Sequence, residues 1–304
     1  MLSLLNLIRY KNLLFIIIIQ LLIKYALFEP FDIDVSLSTF QYILLVLSTI
    51  SIAAGGYIIN DIYDVKTDTI NKPGKRIIGK KITEQTAYNY YIACNVMGVG
   101  IGFYLANLID RPGFAAIFII ISGLLYLYAS YLKSIILVGN IVVAVLVAMT
   151  IIIVGIFDLY PAITTQNLQS LSTIFSILLD YAFFAFLLTF IREIVKDIED
   201  INGDKNVAMQ TLPILIGRKR AGLTVFVLTA ATIAIVVYYI YTYMYTQQIA
   251  MLYFLLFVIA PLLYFCIKIL TAEKQKDYHI LSGILKLTMF FGMLSLLLYP
   301  FLLT

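Results

Sequence analysis

The sequence predicts an all-α, polytopic membrane protein with nine transmembrane helices, and three observations carry that prediction. Of its 304 residues, 62% are hydrophobic and only 12% are charged, about half the roughly 25% that a water-facing domain carries. The apolar residues fall in long unbroken runs rather than in alternation, which favours helices over the closed barrels that could also satisfy backbone groups in lipid. The basic residues collect in alternate loops. Polar and Gly/Pro-rich stretches are too short to fold separately, so 1–304 reads as a single membrane domain.

A spanning helix needs about 20 mostly apolar residues. The first such run, at about 12–29, could suggest a leader peptide. It is long, it is interrupted by Lys24 and it lacks a small-residue cleavage site, so it counts as span 1. Span 2 covers about 38–59 and runs into a polar, acidic segment. Spans 3 and 4 follow at about 86–109 and 113–132. Only Lys133 and Ser134 separate span 4 from span 5, at about 135–157, which requires a tight turn. Span 6, at about 171–192, runs into a second acidic segment. Spans 7 to 9 cover about 221–245, 249–270 and 281–302. Cys94 and Cys266 lie inside apolar runs without pairing or metal spacing, as packing residues do. His279 reads as a surface residue of the last loop.

Lysine and arginine set the orientation. One set of alternate loops holds all the basic residues except Arg111, on the opposite side, and Lys24 and Lys286, which lie inside spans. The N-terminus is therefore expected in the cytoplasm and the C-terminus outside. A missed or false span would scramble this segregation.

The chemistry lies where spans 2 and 6 end. Asn60, Asp64 and Asp68 are spaced i, i+4, i+8 along one helical face, with Asp61 beside them. Glu193, Asp197, Asp200 and Asp204 follow at i, i+4, i+7, i+11. Asp61, Asp64 and Asp68 read D-x-x-D-x-x-x-D, as do Asp197, Asp200 and Asp204. The displacement spans four helices, an even number, so both clusters emerge on one face. This predicts a diverged parallel repeat with halves 1–133 and 134–280 and a final span 281–304. Like charges at these spacings repel by a few tenths of a kcal/mol per pair, more at a low-dielectric membrane edge. They call for a cation. An oxygen-only ligand set suits magnesium, which takes one or two carboxylates and completes its shell with waters and phosphate oxygens. Two clusters suit two ions clamping one diphosphate. Solvated loop acids would explain one cluster better than two matching ones in a chain with 17 acids. A cation-coupled transporter would place its acids at mid-depth rather than at span ends.

Basic residues on the same face could contact diphosphate oxygens. They are Arg9 and Lys11 before span 1, Lys72, Lys75 and Arg76 after the first cluster, Lys133 in the tight turn, and Arg192 and Lys196 above the second cluster. Topology alone also places lysine and arginine there. Some of the 23 Tyr and 20 Phe could line an apolar tunnel, with Tyr57, Tyr63, Tyr126 and Tyr128 near the right ends.

These residues resemble a known group. Asn60-Asp61-Ile62-Tyr63-Asp64-Val65-Lys66-Thr67-Asp68 resembles the NDxxDxxxD signature of the UbiA superfamily of intramembrane prenyltransferases. Asp200-Ile201-Asn202-Gly203-Asp204 resembles its DxxxD motif, and Thr211-Leu212-Pro213 with Gly217 fits the usual continuation. Arg9 and Asn12 are similar to an N-terminal Arg-Pro-x-Asn element, with Tyr10 in place of proline. Asn71 and Arg76 are similar to an N-x-P-x-R-P turn, with Ile77 in place of the second proline. Tyr128 and Lys133 resemble a tyrosine/lysine element on span 4.

The resemblance implies magnesium-dependent transfer of a prenyl group from its diphosphate to a lipid-soluble acceptor. It implies Asn60 and Asp64 as ligands of one ion and Asp200 and Asp204 of the other. Asp61, Asp68 and Asp197 would support them or handle the acceptor and its proton, together with Tyr128 and Lys133. Arg9, Asn12, Lys72, Arg76, Arg192 and Lys196 would hold diphosphate. The string REIVKDIEDINGDK resembles the branch that alkylates geranylgeranylglyceryl phosphate, with an aromatic quinone precursor such as 4-hydroxybenzoate as the alternative acceptor. The bilayer is the expected surrounding, that of the inner membrane in a bacterium, with the active site on the cytoplasmic side. Neither nucleic acid nor an obligate protein partner is implied.

Overall fold

The computed structural model describes residues 2–71, 74, 76–207 and 209–302, the last two of them by backbone alone. Among the described residues there are nine helices long and apolar enough to cross a membrane. They are span 1 (Tyr10–Phe31), span 2 (Thr39–Tyr63), span 3 (Glu84–Leu108), span 4 (Pro112–Ser130), span 5 (Val138–Ala162), span 6 (Leu168–Asn206), span 7 (Arg218–Tyr243), span 8 (Gln248–Ile269) and span 9 (Gln275–Leu298). The count matches the apolar runs. The ends do not always match, because a helix continues past the lipid wherever nothing stops it. Span 6 extends to Asn206, well beyond 192. Its extension REIVKDIEDINGDKN has no proline, and Gly203 alone does not break it. Span 9 begins at Gln275, where the Asp277 carboxylate accepts from the backbone N–H groups of Glu273 (3.2 Å) and Lys274 (2.9 Å).

Span 2 starts on a capping box. Ser38 Oγ accepts from Gln41 N–H at 3.3 Å, and Gln41 Oε1 accepts from Ser38 N–H at 2.8 Å. Its far end departs from expectation. The helix stops at Tyr63, Asp64 turns, and a short helix Val65–Asn71 follows. Asp68 is therefore carried on a separate short helix rather than on span 2. The Asp68 N–H still donates to Asp64 O at 2.8 Å, so the break is slight.

The chain forms two compact units. The first comprises Met1–Leu21, Asp32–Lys133 and Met149–Asp180. Here span 3 lies against spans 2 and 4 with glycines at the contact. A Cβ on Gly98 would stand 2.6 Å from Ile52, and one on Gly102 would stand 2.2 Å from Phe118. The close approach lets Ser48 Oγ donate to Gly98 O at 2.7 Å. Small residues and interhelical hydrogen bonds of this kind hold helices together where lipid offers no hydrophobic drive. Gln20, fully buried in span 1, donates to Thr150 O at 3.0 Å. Asp158, also fully buried, accepts from Leu37 N–H at 2.7 Å and so fixes the entry to span 2.

The second unit comprises Leu22–Phe31, Ser134–Ala148 and Tyr181–Thr304. Its core joins Ile191, Ile194, Val195 and Ile198 of span 6 to Val225, Leu262, Phe265 and Leu285 of spans 7 to 9. Tyr181 and Ser295 share a hydrogen bond of 2.6 Å between spans 6 and 9.

Candidate active site

In the first unit, the last turn of span 2 presents Asn60 and Asp61, and the turn after it presents Asp64. Asn60 Nδ2 donates to Asp64 Oδ2 at 2.6 Å. Lys133 Nζ reaches Asp64 Oδ1 at 2.6 Å from the turn after span 4. Arg9 Nη2 pairs with Asp61 Oδ1 at 2.8 Å, and its guanidinium lies 5.1 Å from the Tyr57 ring centre. Arg9 occupies a left-handed backbone conformation, φ 49°, between the helix Leu2–Leu7 and span 1. Non-glycine residues enter that region at a cost, so the bend that aims Arg9 at Asp61 must be held by the packing around it. Desolvation works against the Arg9 charge, but attraction to Asp61 and the hydrogen bond Arg9 donates to it outweigh this. The pKa is raised above its ordinary value, and Arg9 stays a cation.

Asn60 Oδ1 is buried and has no hydrogen-bond partner among the described residues. A buried oxygen left without a donor, beside a carboxylate, fits a hard cation. Among the described residues, no three His, Cys, Asp or Glu side chains converge as a ready metal cage.

In the second unit, one unbroken helix carries the other cluster. Glu193, 9% exposed, accepts from Lys196 Nζ at 2.6 Å and from Arg192 Nη1 at 3.2 Å. Asn140, near the start of span 5, donates Nδ2 to Asp197 Oδ2 at 2.8 Å. Glu199 meets His279 Nδ1 at 2.9 Å. Asp200 is half-buried and Asp204 is buried. The Asp204 carbonyl accepts from Val207 and Met209, which ends the helix.

The structure thus brings Arg9, Lys133, Asn60, Asp61 and Asp64 together, and it brings Arg192 and Lys196 together on Glu193. Four of the basic residues expected on phosphate, Arg9, Lys133, Arg192 and Lys196, also pair with acids. Arg76 donates Nη1 to Thr69 Oγ1 at 2.9 Å. Tyr128 and Asn12 are half-buried at the ends of spans 4 and 1. Lys72 and Lys75 lie outside the described residues. Asn140 did not emerge from the sequence reading. Its signal was an amide within the apolar run LVGNIVVAVL, legible as a buried polar group but not as a partner of Asp197. His279 is exposed as expected, yet it is paired.

The model of the UbiA prenyltransferase family matches residues 25–294. A digeranylgeranylglyceryl phosphate synthase from Korarchaeum cryptofilum is 31% identical over 252 residues, 81% of each chain. One from Methanosphaera stadtmanae is 31% identical over 84% of this chain and 88% of its own. The fold is similar to that of a UbiA homolog from Aeropyrum pernix, with TM-score 0.65 at 12% identity over 90% of this chain and 94% of that one. It is also similar to that of an Archaeoglobus fulgidus UbiA homolog bound to GPP and Mg2+, with TM-score 0.55 at 17% identity over 97% and 99%. With nine such spans among the described residues, the protein is integral to a membrane. The chain belongs to the UbiA prenyltransferase family.

Proposed function

We propose that the enzyme transfers a geranylgeranyl group from its diphosphate to a hydroxyl of geranylgeranylglyceryl phosphate. The observation that carries this reading is similarity over about four fifths of the chain to digeranylgeranylglyceryl phosphate synthases. Asn60 with Asp64, and Asp200 with Asp204, are assigned to hold magnesium against the donor diphosphate, one ion at each motif. Magnesium, when bound, neutralises the charge that builds on departing diphosphate.

The chain's own residues do the rest. Lys133 and Arg9 add positive charge beside the first motif, and Arg192 and Lys196 do so beside the second. Apolar span faces exclude water that would otherwise capture the allylic carbon. Asp61 and Asp68 support the first motif. Arg76, Asn12, Tyr128 and Lys72 remain assigned to phosphate or acceptor contact. The two sequence halves, 1–133 and 134–280, are read as a diverged parallel repeat, each half contributing one motif. The basic loops support a cytoplasmic active site and a cytoplasmic N-terminus.

Purified enzyme given geranylgeranyl diphosphate and Mg2+ should convert geranylgeranylglyceryl phosphate to its diether, read by mass spectrometry. Prenylation of 4-hydroxybenzoate with no diether would overturn the acceptor assignment. Chelation by EDTA should stop the reaction and added Mg2+ restore it.

A further inference from the structure

Lys286 sits inside the apolar run of span 9, and neither acidic motif accounts for it. An ionisable side chain within a span is costly and marks a functional position. Three contacts between spans 6 and 9 fix its surroundings. Glu199 meets His279 at 2.9 Å, Thr189 Oγ1 donates to Met289 Sδ at 4.0 Å, and Tyr181 shares a hydrogen bond of 2.6 Å with Ser295. The numbers fall on one helix as they rise on the other, so the pair is antiparallel and its register is set. Lys286 stands seven residues after His279 and three before Met289, while Arg192 stands seven before Glu199 and three after Thr189. The two basic residues are therefore level. At about 100° per residue, Lys286 lies about 20° from His279 and about 60° from Met289 around span 9. Arg192 keeps the same angles to Glu199 and Thr189, so each basic residue is on the side of its helix that meets the other.

Arg192 is only partly satisfied there. Its Nη1 donates to Glu193 at 3.2 Å, but its Nε is buried and has no hydrogen-bond partner among the described residues. A buried donor of this kind calls for an acceptor. Glu193 is shared, because Lys196 Nζ also donates to it at 2.6 Å. Lys196 lends its charge to Asp197 as well. Arg192, Lys196 and Lys286 thus set three cations beside Glu193 and Asp197, and the surplus positive charge suits an anion.

On the proposed metal assignment, the donor diphosphate is centred elsewhere. Asp200 stands about 12 Å along span 6 from Arg192 and about 80° round it. The apolar run of span 6 ends near Arg192. That puts the Arg192 and Lys286 level at the edge of the hydrocarbon, the depth at which a lipid carries its phosphate. The Lys286 side chain tilts toward Gln275, the end of span 9 beside that edge, and its long stem carries the ammonium there. We infer that Arg192 and Lys286 form a subsite for a phosphate monoester on a glyceryl lipid, that it seats the headgroup of the acceptor, and that Lys286 selects an acceptor bearing phosphate. The inference rests on the glyceryl-lipid reading, whose acceptor carries such a phosphate.

The test uses the full chain in phosphatidylcholine nanodiscs with geranylgeranyl diphosphate, Mg2+ and geranylgeranylglyceryl phosphate. Three quantities are measured: acceptor KM, donor KM, and the apparent inhibition constant of geranylgeranylglycerol, which lacks the phosphate. Lys286→Met should raise acceptor KM by about 10-fold or more. Donor KM and the inhibition constant of geranylgeranylglycerol should stay within about 3-fold. Lys286→Arg, which keeps the charge, should recover part of the acceptor KM. Arg192→Gln should raise acceptor KM in the same sense.

An unchanged acceptor KM in Lys286→Met would overturn the inference. So would a loss of affinity shared equally by the phosphate acceptor and geranylgeranylglycerol, which a merely structural lysine would produce. Adding phosphatidic acid to the nanodiscs separates the acceptor from bulk lipid. A wild-type rate that rises with phosphatidic acid, through Lys286 and without change in acceptor KM, would give the subsite to the bilayer and overturn the inference. Should Lys286→Met fail to fold, Lys286→Gln and Arg192→Gln decide on the same quantities. A wild-type enzyme that makes no diether refutes the acceptor reading itself, and a functional wild type with indifferent variants refutes only the inference.

Discussion

At the scale of single residues, the site is a set of acids balanced by nearby cations. Asp64 has Asn60 on one oxygen and Lys133 on the other. Asp64→Ala and Asp200→Ala should each lower transfer by about 100-fold or more, since each would remove a ligand assigned to a charge-stabilising ion. Helix content by circular dichroism should stay unchanged, and near-normal turnover in both variants would reject the metal assignment. Arg9 supplies a pH argument. Its folded-state pKa is raised, so its contribution is fully present below the ordinary arginine value and is lost only above it. The difference in stability between wild type and Arg9→Met should therefore be flat between about pH 6 and pH 9. A slope there would place the titration elsewhere. The ligand candidates were legible because a D-x-x-D-x-x-x-D pattern repeats within one chain. Their partners were not. Lys133 and Asp64 are 69 residues apart, and Asn140 and Asp197 are 57 apart, distances that only tertiary packing closes.

At the scale of elements, span 6 does the most. Over its 39 residues it joins an apolar core to an acidic end without a break. At about 100° per residue, Phe186, Phe190, Glu193, Asp197, Asp200 and Asp204 stay within about 40° of one line. The rings of Phe186 and Phe190 stack at 6.1 Å with an interplanar angle of 2°. They begin about 10 Å below Asp197 at 1.5 Å per residue, where the prenyl chain of a donor seated at the motif would run. Phe190→Ala should raise donor KM by several-fold with little change in kcat for bound donor, measured by steady-state turnover; an unchanged KM would place the rings against lipid instead. The cluster's helical spacing forecast its shared face, but the length of the helix was hidden because hydropathy reports the lipid boundary and not the helix end. The close contact of spans 3 and 4 was hidden too, since Gly100 and Gly102 look alike in sequence. Gly102→Val should lower stability by about 1–3 kcal/mol, because a Cβ there meets Phe118 at 2.2 Å. Gly100→Ala, with open space around it, should leave the melting temperature unchanged in detergent.

At the scale of the whole molecule, composition and charge segregation were enough to count nine spans, because both are imposed by the bilayer and not by the fold. Assembly into compact units was not legible. Span 1 divides between the two units after Leu21, and span 5 divides after Ala148, and nothing in local hydropathy marks either point. The proposed orientation rests on the same charge segregation. Arg111 is the one basic residue on the sparse side, while the crowded side holds clusters such as Lys72 to Lys81 and Arg218 to Arg220. Inverting the protein would move every cluster across the membrane against the bias that insertion obeys. A reporter fused after Thr304 should therefore read outside, and one inserted near Glu273, between spans 8 and 9, should read cytoplasmic. The pair of fusions matters because they flank a single span. Opposite readings with the C-terminus outside support both the count and the orientation. Opposite readings with the C-terminus inside would keep span 9 but invert the protein, and would move both aspartate motifs to the outer face. Identical readings would remove span 9 from the membrane altogether.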